Sequence, residues 1–182
     1  MKSHRLLSLA LAGVLTACAT GGITRVTDPA LPHAVGEGTP VTVSWTDPAQ
    51  FTEIRYSTNP RLASEGDWVV KLADYMAAST ARAVPAGDKV DVQILDIQRA
   101  GQYEWSYGAT SDLRILRDTY PPRIQLRFRH LDANGNVVAE GDRKLADLAY
   151  LMSPPPLPSS DTLRYEKRMI DQWVRREFVT RR

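Results

Sequence analysis

Alternating apolar and polar positions predict several β-strands in the middle of the chain. Residues 41–45 (VTVSW) place every second side chain on one apolar face. The clearest strand is 123–131 (RIQLRFRHL), where apolar residues alternate with arginine and glutamine. Turn residues at 132–136 predict a hairpin that returns through 137–145. Because one side of this hairpin is polar, we expect an antiparallel pair with one face in water.

Two other segments show a helical period. Apolar residues recur every three or four positions over 69–80, just after 64–67 (SEGD), which has the spacing of a capping box. A second apolar stripe runs through 163–178. Residues 90–97 alternate but change phase at Leu95, so this strand is either covered on both faces or bulged. Together these patterns predict an α+β fold, with a small, mostly antiparallel sheet and two helices packed on one of its faces.

The N-terminal residues have the pattern of a bacterial signal peptide. Basic residues precede an apolar core that is too short to span a hydrocarbon layer of ~30 Å, and residues 15–18 (LTAC) resemble a lipobox. We therefore expect a lipoprotein signal peptide at 1–17, a lipidated Cys18 on a flexible tether over 18–39, and a single domain at 40–182. The alternative is ordinary secretion with a free Cys18.

Composition and charge narrow the range of partners. The chain has 23 basic and 21 acidic residues, and loss of Lys2 and Arg5 with the signal peptide leaves 21 of each. A neutral, exported domain does not indicate nucleic acid as a partner. Cys18 is the only cysteine, so its lipidation leaves no disulfide and no thiol nucleophile. Because the mature chain has two histidines without paired spacing, we expect no metal and no cofactor.

Two longer segments carry a family resemblance. They are 112–151, which contains YPPR at 120–123, and the terminal segment 163–178. Together with the strand at 41–45, they resemble the bacterial family catalogued as domain of unknown function 3016. The resemblance implies an exported, membrane-associated protein of Gram-negative bacteria, and it brings no activity and no functional residues. In such bacteria, Ala19 after the cysteine implies the outer membrane, with the domain facing the periplasm.

Three arginines share one face of the clearest strand. Arg123, Arg127 and Arg129 stand at even spacings, so neighbouring guanidinium groups project from the same side about 7–14 Å apart. Such a row can hold an anionic partner through bidentate hydrogen bonds. The alternative is a solvated face whose charges are matched by Glu140 or Asp142 on the returning strand.

Three aromatic residues also alternate, namely Tyr103, Trp105 and Tyr107. If this segment is extended, they form a stripe that can stack on sugars or anchor a peptide. The alternative is a loop that packs these aromatic rings onto the core.

The functional hypotheses follow from these patterns. We expect a non-catalytic lipoprotein, anchored to the membrane by lipid on Cys18, whose periplasmic domain binds a protein or an anionic envelope component. The alternative is a cell-envelope hydrolase in which His130 acts with carboxylates drawn from Asp91, Asp96, Asp112 and Asp118. A third hypothesis is a structural role as a homo-oligomer, and the sequence leaves the oligomeric state open.

Overall fold

Seven strands and four α-helices form the part of the chain that the computed structural model describes, which is residues 23–104, 112–152 and 160–179. The strands are β1 (Ala34–Val35), β2 (Val41–Trp45), β3 (Lys89–Gln98), β4 (Gln102–Tyr103), β5 (Arg114–Ile115), β6 (Arg123–Leu131) and β7 (Val137–Ala146). The helices are α1 (Thr52–Arg55), α2 (Pro60–Ala63), α3 (Trp68–Ala83) and α4 (Arg164–Val174), with a 3-10 turn at Pro48–Gln50 and a π-helical turn at Arg175–Val179. The predicted α+β class is confirmed.

Five strands form the main sheet, in the order β1-β2-β3-β6-β7, and β4 pairs with β5 in a separate ribbon. β2 and β3 are parallel, because the chain between them returns through α3 to the end of the sheet where β2 begins. The other neighbours in the main sheet are antiparallel, and β6 continues into β7 through the predicted hairpin. The sheet is therefore mostly antiparallel, as the sequence predicts.

The phase change in β3 is a β-bulge. The register of β3 against β6 shifts between Ile94 and Asp96, so Leu95 is the extra residue on the bulged strand. Beyond the bulge, Ile97 returns to the covered face and is completely buried. The second of the two sequence alternatives for this strand is thus confirmed.

The two long helices pack against each other and cover one face of the sheet. The predicted apolar stripe of α3 is buried. The capping box predicted at 64–67 is not formed: α3 begins only at Trp68, and the Ser64 hydroxyl donates instead to the carbonyl of Arg61. A short preceding helix, α2, takes this serine out of reach of the first turn of α3.

The domain begins before the predicted boundary at residue 40. Val26 is buried, and its N–H donates to the Ser64 carbonyl at 2.9 Å. The Gly66 N–H donates to the Thr24 carbonyl at 2.8 Å, and β1 adds an edge strand to the sheet beside β2. Composition rich in glycine and proline predicted a tether here, but burial of one valine and backbone pairing hold these residues on the domain.

Candidate functional site

The face of the sheet opposite the two long helices is polar and largely exposed. We call it the open face, and its side chains are those of Thr42, Ser44, Asp91, Gln93, Arg123, Gln125, Arg127, Arg129, Glu140, Asp142 and Lys144. The strand period places every second residue of β3, β6 and β7 here, while their neighbours fill the core. This surface contains the predicted arginine row.

Two of the three arginines are paired with acids on β7. The Arg127 Nε lies 2.7 Å from an Asp142 carboxylate oxygen, and the Arg129 Nε lies 3.5 Å from Glu140. In each pair, the two residues lie directly opposite each other in the β6–β7 register. Arg123 instead lies opposite Ala146 of β7. The structure therefore agrees with the alternative of a solvated face whose charges are matched across strands.

The pKa values of Arg127 and Asp142 reflect their ion pair. The hydrogen bond to Asp142 raises the pKa of Arg127, and the same bond lowers the pKa of the Asp142 carboxyl. On the other side, β3 places Gln93 opposite Arg127 and Asp91 opposite Arg129. The open face thus presents alternating acid, base and amide groups across the sheet.

The predicted aromatic stripe is described only at its first residue. Tyr103 lies in β4, is half-buried, and receives the Arg114 guanidinium over its ring at 5.2 Å from the centroid. Its carbonyl accepts a hydrogen bond from the Thr58 hydroxyl. Trp105 and Tyr107 lie outside the described residues, as does Cys18. Tyr103 is thus used in packing against a neighbouring cation.

His130 lies on the helix-covered side of β6, opposite in direction to the arginines. Its Nε2 is 2.8 Å from a carboxylate oxygen of Asp88, and both residues are buried. Phe178 packs edge-on against the imidazole, with ring centroids 5.5 Å apart. This pair ties the turn before β3 to the second half of β6.

The four candidate carboxylates lie elsewhere. Asp91 is on the open face, and Asp96 accepts hydrogen bonds from the backbone N–H and hydroxyl of Thr52 at the start of α1. Asp112 accepts a bond from Asn59 at 3.5 Å, and Asp118 is exposed in a turn. These carboxylates are not gathered around His130. The described residues also contain no group of three or more potential ligands that could hold a metal ion.

A buried ion pair joins α1 to β5. Glu53 accepts hydrogen bonds from both terminal nitrogens of Arg114, one of them at 2.8 Å, and a third from the Arg99 backbone N–H at 2.9 Å. The side chain of Glu53 is 4% exposed and that of Arg114 is 16% exposed. Arg114 also donates to the Ala100 carbonyl at 3.0 Å. No local sequence pattern indicates this pair.

A second buried acid and base lie beside this pair. Glu166 of α4 accepts from the Ala100 N–H at 2.6 Å, and burial raises the pKa of its carboxyl. Burial likewise lowers the pKa of Arg99, whose guanidinium lies over the Trp68 ring at 5.4 Å. The Arg99 Nε and the second Glu166 oxygen are buried without a hydrogen-bond partner among the described residues. We call Glu53, Arg99, Arg114 and Glu166 the buried charge cluster.

One sequence signal could have revealed part of this cluster. Glu166 falls on the apolar stripe of α4, three residues after Leu163 and four before Ile170. A charged residue at such a position must be paired or neutralised inside the fold. Glu53 gives no comparable signal, because α1 is a single turn.

A small cleft opens beside the buried charge cluster. Its lining includes Thr52 and Glu53 of α1, Gln102 of β4 and Arg114 of β5, and its volume is about 70 Å³. That space holds a few water molecules, whereas sites for small organic ligands offer about 300 Å³ or more. The cluster is therefore best explained as a structural junction of α1, β3, β5 and α4.

These features define the class of protein: a small α+β domain with one sheet, one face covered by two helices, and one charged face open to solvent. The chain belongs to the family described as protein of unknown function (DUF3016), whose family model matches residues 39–176, more than half of the chain. The resemblance carried by residues 112–151 and 163–178 is confirmed. No curated protein and no solved structure matches the chain.

Proposed function

We propose that this protein is a lipid-anchored, non-catalytic component of the bacterial envelope that binds a partner through the open face. The supporting observation is the open face itself. It leaves a broad part of a five-stranded sheet exposed, with its charges held in fixed cross-strand positions. A surface of this kind offers donors and acceptors at defined spacings to a second molecule.

The charge pattern favours a protein over an anionic polymer as the partner. An anionic polymer needs unneutralised cations, whereas Arg127 and Arg129 each face an acid across β7. A protein with its own alternating charges can exchange these ion pairs for intermolecular ones. Arg123, which faces Ala146, is the position where an anionic component would gain most.

Catalysis has less support than binding. The hydrolase alternative requires His130 and carboxylates around one concave site. Within the described residues, His130 is bonded to Asp88 inside the fold, and the carboxylates proposed for it lie apart.

The lipid anchor rests on the N-terminal sequence. The signal-peptide pattern and the LTAC run support acylation of Cys18, and Ala19 supports an outer-membrane location. In the described part of the chain, no helix combines the length and apolarity needed to cross a bilayer. The proposed address is the periplasmic side of the outer membrane.

Site-specific crosslinking in living cells tests the binding face. A photoreactive residue is introduced at Gln125, in the middle of the open face, and in a matched variant at Asp74, which is exposed on α3. We expect a discrete crosslinked partner from Gln125 and none from Asp74. The same adduct from both positions, or none from Gln125, would contradict the proposal.

A charge-inverted variant serves as a second control. The double substitution Arg127→Asp and Asp142→Arg keeps an ion pair at this point of the sheet but reverses its polarity. We expect this variant to fold and to lose the Gln125 adduct. An undiminished adduct would show that the face does not recognise its partner through these charges.

A further inference from the structure

The main sheet has two distinct ends. At the first, β6 turns into β7 through Asp132–Asn136, and Gly87 approaches Ala133 of this turn. At the other end β3 finishes at Gln98 and β6 begins. We call the first the hairpin end, and we call the second the loop end because the connections after β3 and β7 begin there. Nine residues of β6 separate the two ends by about 30 Å, at ~3.3 Å per residue.

Two connections interlock at the loop end. The Tyr150 hydroxyl donates to the Arg117 carbonyl at 2.8 Å, which joins the segment after β7 to the segment before β6. The Gly101 N–H donates to the Tyr120 carbonyl at 3.0 Å. Arg168 of α4 donates to the Tyr150 carbonyl at 3.0 Å. These bonds fix the loop end as a defined surface.

Exposed apolar side chains are concentrated at this loop end. Single exposed apolar residues are ordinary, but their distribution here is one-sided. Of the ten large hydrophobic residues that the described part of the chain exposes, seven lie at the loop end: Ile23, Tyr56, Leu113, Leu116, Leu148, Leu151 and Met152. Met152 is 81% exposed and Leu148 is 69% exposed. The hairpin end carries Val137, Val138 and Val179.

The N-terminal residues also join the fold at the loop end. Thr24 is bonded to Gly66 just before α3, and Trp68 at the start of α3 lies against Arg99 just after β3. Cys18 precedes Ile23 by five residues. Five residues span at most about 18 Å when fully extended. A lipid on Cys18 therefore keeps the loop end within this reach of the bilayer, whereas the hairpin end lies about one strand length from the loop end.

We propose that the loop end of the domain lies on the bilayer, with Leu148, Leu151 and Met152 in the interfacial layer of the phospholipids. This inference rests on the proposed lipid anchor. It gives the exposed apolar residues a partner of matching chemistry, since apolar side chains at a membrane surface leave water for the boundary of the acyl chains. The strands then point away from the membrane, and the open face stands upright beside it.

Depth-dependent fluorescence quenching tests this orientation. The full-length lipidated protein is reconstituted in vesicles of phosphatidylethanolamine with a minority of phosphatidylglycerol. A fluorophore is attached to a cysteine introduced by Leu148→Cys in the segment after β7, or by Leu113→Cys in the segment before β6. The matched control is Val138→Cys at the hairpin end, where the native residue is 56% exposed. Acylated Cys18 does not compete, so each variant carries one free thiol.

We expect nitroxide lipids labelled near the headgroup to quench both loop-end fluorophores several-fold more than the fluorophore at Val138. Equal quenching at the two ends, or loop-end fluorophores that remain in water, would overturn the orientation. Flotation of the same vesicles separates the two claims. Protein that floats without loop-end quenching keeps its lipid anchor and refutes only the orientation, whereas protein that does not float refutes the anchor as well.

Discussion

Removing the charge of Glu53 or of Arg114 is the sharpest test of how the loop end is held together. The pair is joined by two hydrogen bonds, and both residues also bond to the backbone just after β3, at Arg99 and Ala100. Glu53→Gln removes one charge and keeps a side-chain oxygen for the Arg99 N–H. Arg114→Met removes the other charge and keeps most of the apolar stem beside Tyr103.

The expected magnitude follows from burial. Removing one member of a buried pair leaves an uncompensated charge in the fold, which costs about 3–5 kcal/mol. For a domain of this size, that loss lowers Tm by roughly 6–20 °C. The double variant leaves no unpaired charge, so its loss should fall short of the sum of the single losses by about 2–3 kcal/mol.

Urea unfolding of the mature chain carrying Cys18→Ser measures this coupling. Arg127 and Asp142 provide a matched control, because they form the same type of pair with both side chains more than half exposed. We expect strong coupling for the buried pair and little or none for the exposed pair. Single losses at Glu53 and Arg114 that add to the loss of the double variant, within ~0.5 kcal/mol, would show that the two charges are not coupled.

Three further changes test other parts of the structure. Phe128→Ala, at a position 1% exposed, should lower the unfolding free energy by about 3–5 kcal/mol in the same urea assay, and a loss under ~1 kcal/mol would contradict its place in the core. Gly101→Ala should lower Tm clearly more than Gly38→Ala. Both glycines have positive φ, but only at Gly101 would the new Cβ lie 2.7 Å from the Ile115 carbonyl oxygen. Equal losses of Tm would contradict this close approach. Burial raises the pKa of Glu166, so its contribution to the unfolding free energy should fall as pH rises from about 4.3 toward the raised pKa of the folded state. Over that pH window the wild type should lose stability relative to Glu166→Gln. A gain in stability relative to Glu166→Gln would contradict a raised pKa.

Alternation in the sequence predicts the sheet well wherever one face is wet. β2 and β6 match the predicted segments because each alternates fully, and the single insertion at Leu95 leaves a visible phase change. β1 and α1 have too few residues to show any period. The packing of Val26 and β1 on the domain could not be predicted, because one buried valine and a few backbone bonds leave no compositional trace.

The predicted arginine row and the buried charge cluster differ in how far apart their paired residues lie in the sequence. Arg127 and Asp142 face each other across one hairpin, so the sequence could offer their pairing as an alternative. Glu53 and Arg114 lie 61 residues apart and meet only because α1 and β5 pack at the same end of the sheet. Contacts of that kind depend on the tertiary fold, which no local pattern determines.

The mass of the N-terminal peptide from the mature protein shows whether Cys18 carries lipid. Protein purified from bacterial membranes with detergent is digested, and the peptide that ends at Arg25 is measured by mass spectrometry. We expect a peptide that begins at Cys18 and carries lipid on the cysteine sulfur. An unmodified peptide, or one that retains residues before Cys18, would contradict the lipid anchor and the orientation built on it.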